Sequence, residues 1–107
     1  MTFVRACALS ELTDSAPMRV DVEGLDVAVV RHGDEIFAIE DECSHAAVAL
    51  SEGDVDDCTI ECWMHGSRFD LRTGKPTGPP ATEPVPVFAV QINGDDVLID
   101  IEAPLAG

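Results

Sequence analysis

Two short stretches of this chain concentrate soft and borderline metal ligands: DECSHAAV at residues 41–48 and ECWMHGSRFD at residues 61–70. Each offers one cysteine and one histidine, Cys43 with His45 in a C-x-H interval and Cys62 with His65 in a C-x2-H interval, and sixteen residues separate the pairs. Thiolate and imidazole hold zinc or iron, and four such groups on two loops complete one tetrahedral shell or share a two-iron cluster. A zinc finger usually groups like ligands within each pair. Here every pair is mixed, so two facing loops could put both cysteines on one metal and both histidines on another. That sorting suits a binuclear centre with two chemically distinct irons.

The remaining members of these residue types have plainer readings. Cys7 and Cys58 read as small buried thiols, and His32, just before Gly33, reads as a solvated turn residue. Arg68 and Asp70 could pair near the site, although an exposed ion pair contributes little. Trp63 and Met64, between the second pair of ligands, either shield a metal or offer a docking contact.

Charge narrows the partners. Twenty-one acids against six bases give a net charge of -15, which disfavours binding nucleic acid through phosphate neutralisation. Acidity alone is equally the mark of a chain kept soluble by charge. Its distribution is more telling: seven acids and no base lie between Asp41 and Glu61, and Arg68, Arg72 and Lys75 come directly after. Clustering beside the Cys/His pairs points to a partner with a basic docking surface. No run of eighteen apolar residues suggests a membrane span, and the start MTFVRACALSEL does not resemble a secretory signal. The expectation is a cytoplasmic protein in a reduced compartment, with metal ligation by the Cys/His pairs rather than a disulfide framework among its four cysteines.

The elements that must position these ligands read as strands. At 107 residues the chain fits one domain, spanning 1–107. PMRVDVEG, LDVAVVRH and DEIFAIE are rich in Val and Ile with alternating character, and EG and HGDE supply turns between them. VFAVQI and DVLIDI flank NGD, a hairpin signal. One helical turn is plausible around Ser10 to Leu12. Between the strand sets, residues 41 to about 86 read as an inserted site module, with the ligand pairs on two loops and GKPTGPPATEPVP at its end. Its prolines and glycines argue for fixed loops rather than helices.

With these motifs in place, the chain resembles the Rieske family: C-S-H at 43–45 and C-W-M-H-G at 62–66 look like its two cluster-binding boxes. Phe69 and Asp70, the Thr73–Gly74 turn and the Gly78, Pro79, Pro80 loop also resemble the family's sequence beyond the second box. The likeness implies an all-β fold, with antiparallel sheets forming a basal domain and an inserted cluster-binding subdomain at approximately 41–86. It further implies one 2Fe-2S cluster per chain, with Cys43 and Cys62 on the inner iron, His45 and His65 on the outer one, and the proline loop as a cover. Two ferric ions, two sulfides and two thiolates sum to zero charge when the imidazoles are neutral. An electron is therefore accepted more readily than by an all-cysteine centre, consistent with about -150 to +300 mV against about -400 mV.

High-potential members of the family carry an extra disulfide-forming cysteine in each box, where Val48 and Met64 stand here. They also direct a serine and a tyrosine hydroxyl toward the cluster sulfurs. Ser67 matches the serine, but Phe69 replaces the tyrosine, so the expectation is a low-potential centre. Its potential is also expected to fall at alkaline pH, because iron-bound imidazole loses its remaining proton more readily when the cluster is oxidised.

The resemblance implies an electron-transfer protein rather than an enzyme: a soluble ferredoxin taking single electrons from a flavoprotein reductase to an oxygenase or another redox acceptor. A Rieske oxygenase would need a second iron held by two histidines and a carboxylate. Only His32 is left for such a site. The alternatives are an accessory or redox-sensor protein linked to iron-sulfur cluster assembly, the small subunit of a nitrite-reductase-like complex, and a zinc-bound structural module.

Overall fold

The computed structural model of the chain describes residues 3–33, 35–42, 49–56, 58–62, 66–77 and 84–105. Its strands are β1 (Val4–Ala8), β2 (Met18–Val22), β3 (Leu25–His32), β4 (Glu35–Glu40), β5 (Val55–Asp56), β6 (Thr59–Glu61), β7 (Arg68–Asp70), β8 (Val87–Asn93) and β9 (Asp96–Leu105). Short 3-10 turns at Leu9–Glu11 and Leu50–Glu52 are the helical elements among the described residues. The expected all-β architecture is present. A six-stranded antiparallel sheet runs β1-β9-β8-β4-β3-β2, and a separate three-stranded antiparallel sheet runs β5-β6-β7. The edge strands β1 and β2 also approach each other, so the large sheet curls toward closure.

The core divides along the two faces of the central strands. Val27 and Val29 of β3, with Ala38 of β4, face a cluster containing Cys7, Leu12, Val22, Phe88, Val97 and Ile99 inside the curled sheet. Their neighbours Ala28 and Val30, with Phe37 and Ile39, face a second cluster made with Leu50, Ile60, Cys62, Phe69 and Leu71. Successive strand side chains point to opposite faces. Both faces being covered explains why β3 reads as the near-continuous apolar run VAVV rather than a strict alternation.

Several details differ from the sequence reading. β1 escaped it, and it pairs with β9, the most distant strand in sequence. The inserted segment is not loops alone, because it contains the small sheet, whose strands of two or three residues are too short to show any period. The hairpin after β8 turns on Gly94 and Asp95, while Asn93 stays in the strand opposite Asp96. Among these turn residues only Gly94 has positive φ, +65°, as the first central position of a type II′ turn requires. His32 is likewise a strand residue, paired with Glu35 and half-buried with its Nδ1 shielded, rather than a solvated turn residue. The turn near Ser10 starts one residue earlier, and the Glu11 carboxylate, not a serine, accepts from the Ala8 N–H at 2.8 Å.

Candidate metal centre

Cys62 comes directly after β6, and its side chain is completely buried, outside any disulfide, among Leu50, Ile60, Phe69 and Leu71. The β6–β7 connection is closed by backbone bonds: the Cys62 N–H donates to the Ser67 carbonyl at 2.6 Å, and the Gly66 N–H donates to the Cys62 carbonyl at 2.9 Å. Gly66 sits at φ +75°. Ser67 and Phe69 are both fully buried beside this turn, Phe69 opposite Ile60. Cys43, His45 and His65 lie outside the described residues, as do Val48, Trp63, Met64, Gly78, Pro79 and Pro80.

What the structure adds is the framing of those segments. In sequence, the first candidate pair falls between Asp41 and Ser51, which meet: the buried Asp41 carboxylate accepts from the Ser51 N–H and the Ser51 hydroxyl, each at 2.6 Å. The proline segment is held at its two ends, with the Thr77 N–H on the Arg68 carbonyl at 2.8 Å and the Val85 N–H on the Gly74 carbonyl at 2.9 Å. Neither Asp41, after a strand end, nor Ser51, in a 3-10 turn, carries a sequence signal beyond being polar. Cys62, the one candidate ligand among the described residues, fits a thiolate-bound cluster. A buried, disulfide-free cysteine on a backbone-closed turn presents its sulfur without solvent competition.

Charged residues near the site pair differently from the sequence expectation. Arg68 reaches Glu61 across the β6–β7 pair at 3.4 Å and not Asp70, whose carboxylate instead accepts from the Arg72 N–H at 2.7 Å. Residues 68 and 70 share a face, but cross-strand neighbours are closer. Arg72, marked in the sequence only as one of three bases after the acidic run, ties the small sheet to the large one. Its guanidinium contacts Glu35 at 2.8 Å and Cys58 Sγ at 3.1 Å, and it lies 5.6 Å from the Phe37 ring centre.

Cys7 and Cys58 are buried, as expected. Burial pushes the Cys7 thiol above its ordinary value, and the nearby Glu11 carboxylate adds to this against the opposing Arg5. Because thiolate is the reactive form, alkylation of native Cys7 by iodoacetamide at pH 8 should be at least about tenfold slower than in urea-unfolded protein. Its rate should still be rising above about pH 9. Equal rates in native and unfolded protein would contradict this environment.

Residues 2–89 match the Rieske 2Fe-2S domain. The chain belongs to the Rieske family. Among Rieske proteins it is 39% identical over 102 residues to the ferredoxin component of biphenyl 2,3-dioxygenase from Rhodococcus jostii RHA1, covering 95% of each chain. The ferredoxin of carbazole 1,9a-dioxygenase from Nocardioides aromaticivorans IC177 superposes with a TM-score of 0.88 at 40% identity, covering 92% of this chain and 97% of that one. A chain from a complex of reduced oxygenase and oxidised ferredoxin in carbazole 1,9a-dioxygenase matches with a TM-score of 0.85 at 38% identity, covering 91% of each. A Rieske-type 2Fe-2S cluster is accordingly this chain's cofactor.

Proposed function

We propose that this Rieske protein carries single electrons to the oxygenase of a dioxygenase system, taking them from a flavoprotein reductase. It is an electron-transfer protein, as the names of its relatives indicate, and not a catalyst. The observation that carries this reading is the near-complete alignment with dioxygenase ferredoxins, together with a buried Cys62 turn suited to the second cluster box. Cys43 and Cys62 would hold the inner iron and His45 and His65 the outer one. The cluster supplies a one-electron acceptor, and the chain's own residues bury the sulfur side and fix the spacing of the boxes. Residues 1–107 would form one domain, with the cluster-binding subdomain at about 41–86, and the protein would work in the cytoplasm. Among the described residues no helix is long and apolar enough to cross a membrane.

Docking to a basic partner surface is the expectation from charge. Glu42, Glu52, Asp54 and Asp56 are exposed around the ligand pairs, whereas the neighbouring cations Arg68 and Arg72 are engaged by Glu61 and Glu35. Reconstitution with a flavoprotein reductase and a dioxygenase tests the function. Oxygenase reduction should depend on this protein and slow as ionic strength rises. Reduction at the same rate without it would overturn the proposal.

The potential should lie near the negative end of the range of about -150 to +300 mV known for such centres. Phe69 occupies the place of a donor hydroxyl, and a missing donor leaves the reduced state less stabilised. Phe69→Tyr should raise the potential by roughly 20–60 mV, the equivalent of one net hydrogen bond in a one-electron couple. A voltammetric value above about +100 mV in the unaltered protein would refute the low-potential assignment.

A further inference from the structure

The chain between β4 and the second 3-10 turn contains Cys43 and His45, and its two ends are joined by a single buried carboxylate. Asp41 comes immediately after β4, and its N–H donates to the Asp26 carbonyl at 3.0 Å, while the N–H of the preceding Glu40 donates to the Pro86 carbonyl at 3.0 Å. The strand end is thereby fixed on two sides. The Asp41 side chain is fully shielded from solvent and accepts from the Ser51 N–H and Oγ–H, both at 2.6 Å, with the Arg19 Nε 3.5 Å away. Ser51 is itself placed by Leu50, which is completely buried in the same cluster as Cys62 and Phe69.

From Ser51 the connection continues to the other half of the site. The Gly53 N–H donates to the Leu50 carbonyl at 2.9 Å, and the Glu61 N–H donates to the Asp54 carbonyl at 2.8 Å. Glu61 immediately precedes Cys62. A continuous series of hydrogen bonds and peptide units therefore runs from the strand before the first ligand pair to the strand that precedes the second. A buried charge is costly unless its hydrogen bonds are made. Apolar side chains could close this loop without that cost, but they would not define the direction of approach as two converging bonds on one carboxylate do.

We propose that Asp41 is a positioning residue for the cluster: by binding both polar groups of Ser51, it sets the separation of the Cys43/His45 segment from the Cys62/His65 turn. The inference rests on reading Cys43 and His45 as ligands. Asp41 is not itself a ligand and acts through the loop it closes.

The test uses the holoprotein and three variants, Asp41→Ala, Asp41→Asn and Ser51→Ala. Asp41→Ala removes both bonds, Ser51→Ala removes the hydroxyl bond, and Asp41→Asn keeps an acceptor for the Ser51 N–H. Cluster release to an iron chelator should accelerate by about tenfold or more in Asp41→Ala, where two bonds are lost, and by less in the other two. The reduced-state paramagnetic spectrum should broaden and shift in Asp41→Ala and recover toward the parent in Asp41→Asn. Val97→Ala, in the core inside the curled sheet, serves as the control for general destabilisation. It should leave the spectrum unchanged.

Unaltered release and spectrum in Asp41→Ala, or the same spectral change in Val97→Ala, would overturn the proposal. If Asp41→Ala fails to fold, Ser51→Ala carries the same test, and its parent-like spectrum and release rate would be equally fatal. Failure of the ligand reading is distinguishable. It would show as a Cys43→Ser protein that keeps an unchanged cluster spectrum, whatever the Asp41 variants do.

Discussion

Replacing Cys62 by serine is expected to give a colourless protein without the reduced-state paramagnetic signal of a Rieske cluster. The thiol is fully buried between Ile60, Phe69 and Leu71, on a turn closed by the bond from its own N–H to the Ser67 carbonyl at 2.6 Å. A hydroxyl there is nearly isosteric, so the fold has little reason to rearrange. It is, however, a poor ligand for the soft half of an iron-sulfur centre, and a vacated ligand position exposes the cluster to hydrolysis. Cys58 belongs to the same core cluster, where its sulfur accepts from Arg72 at 3.1 Å, so Cys58→Ser separates ligation from packing. Its cluster spectrum should match the parent. A Cys62→Ser protein with an unchanged spectrum, measured by absorbance and paramagnetic resonance, would remove Cys62 from the ligand set.

The second large effect is structural and concerns Gly53. A methyl group at this position would lie 1.7 Å from the Glu61 carbonyl oxygen and 2.9 Å from its carbon, both backbone atoms. Backbone cannot swing aside as the end of a side chain can, so Gly53→Ala must separate the Leu50–Glu52 turn from β6. Overpacking of this kind costs typically about 1–3 kcal/mol, and the closeness of the contact places this case at the upper end. For a chain of this size that corresponds to a fall in Tm of more than about 10 °C. The Glu61 N–H to Asp54 bond, one residue before Cys62, should be disturbed as well, so cluster loss should accompany the lower Tm. Gly33→Ala is a useful comparison. Its added methyl meets nothing within 4 Å at φ +62°, and the cost is the left-handed backbone alone, about 1–2 kcal/mol. Equal thermal shifts for the two variants would show that close approach is not what Gly53 provides.

Both experiments probe the same physical arrangement. The apolar cluster around Cys62 is one end of it, and the Asp41–Ser51 hydrogen bonds and the close Gly53–Glu61 approach link the end of β4 to the end of β6. Electron transfer asks for little more than this. A carrier needs its metal at a constant geometry in both redox states and a surface that partners recognise, and the exposed acids at Glu42, Glu52, Asp54 and Asp56 suit the second need.

The amino-acid sequence alone determined the chemistry and the class of fold. Mixed Cys/His pairs at 43, 45, 62 and 65 are legible as candidate ligands because the capacity to bind metal is a property of residue type and local spacing. The strands β2, β3, β4, β8 and β9 are legible because each is long enough to show its apolar pattern between turn residues. What needed the tertiary structure was everything set by contacts distant in sequence. β1 is recognisable as a strand through its pairing with β9, and β5 to β7 are too short to carry a period. The exchange of Asp70 for Glu61 as the partner of Arg68 depends on β6–β7 register. Arg72 meets Glu35 and Phe37 from a turn more than thirty residues away. Asp41 looks like one more acid in an acidic run, and only its complete burial against Ser51 distinguishes it from Glu42 beside it, which is exposed. Residue type specifies what a side chain can do. Burial and partner, which arise only when separate segments pack, specify which of those things it does.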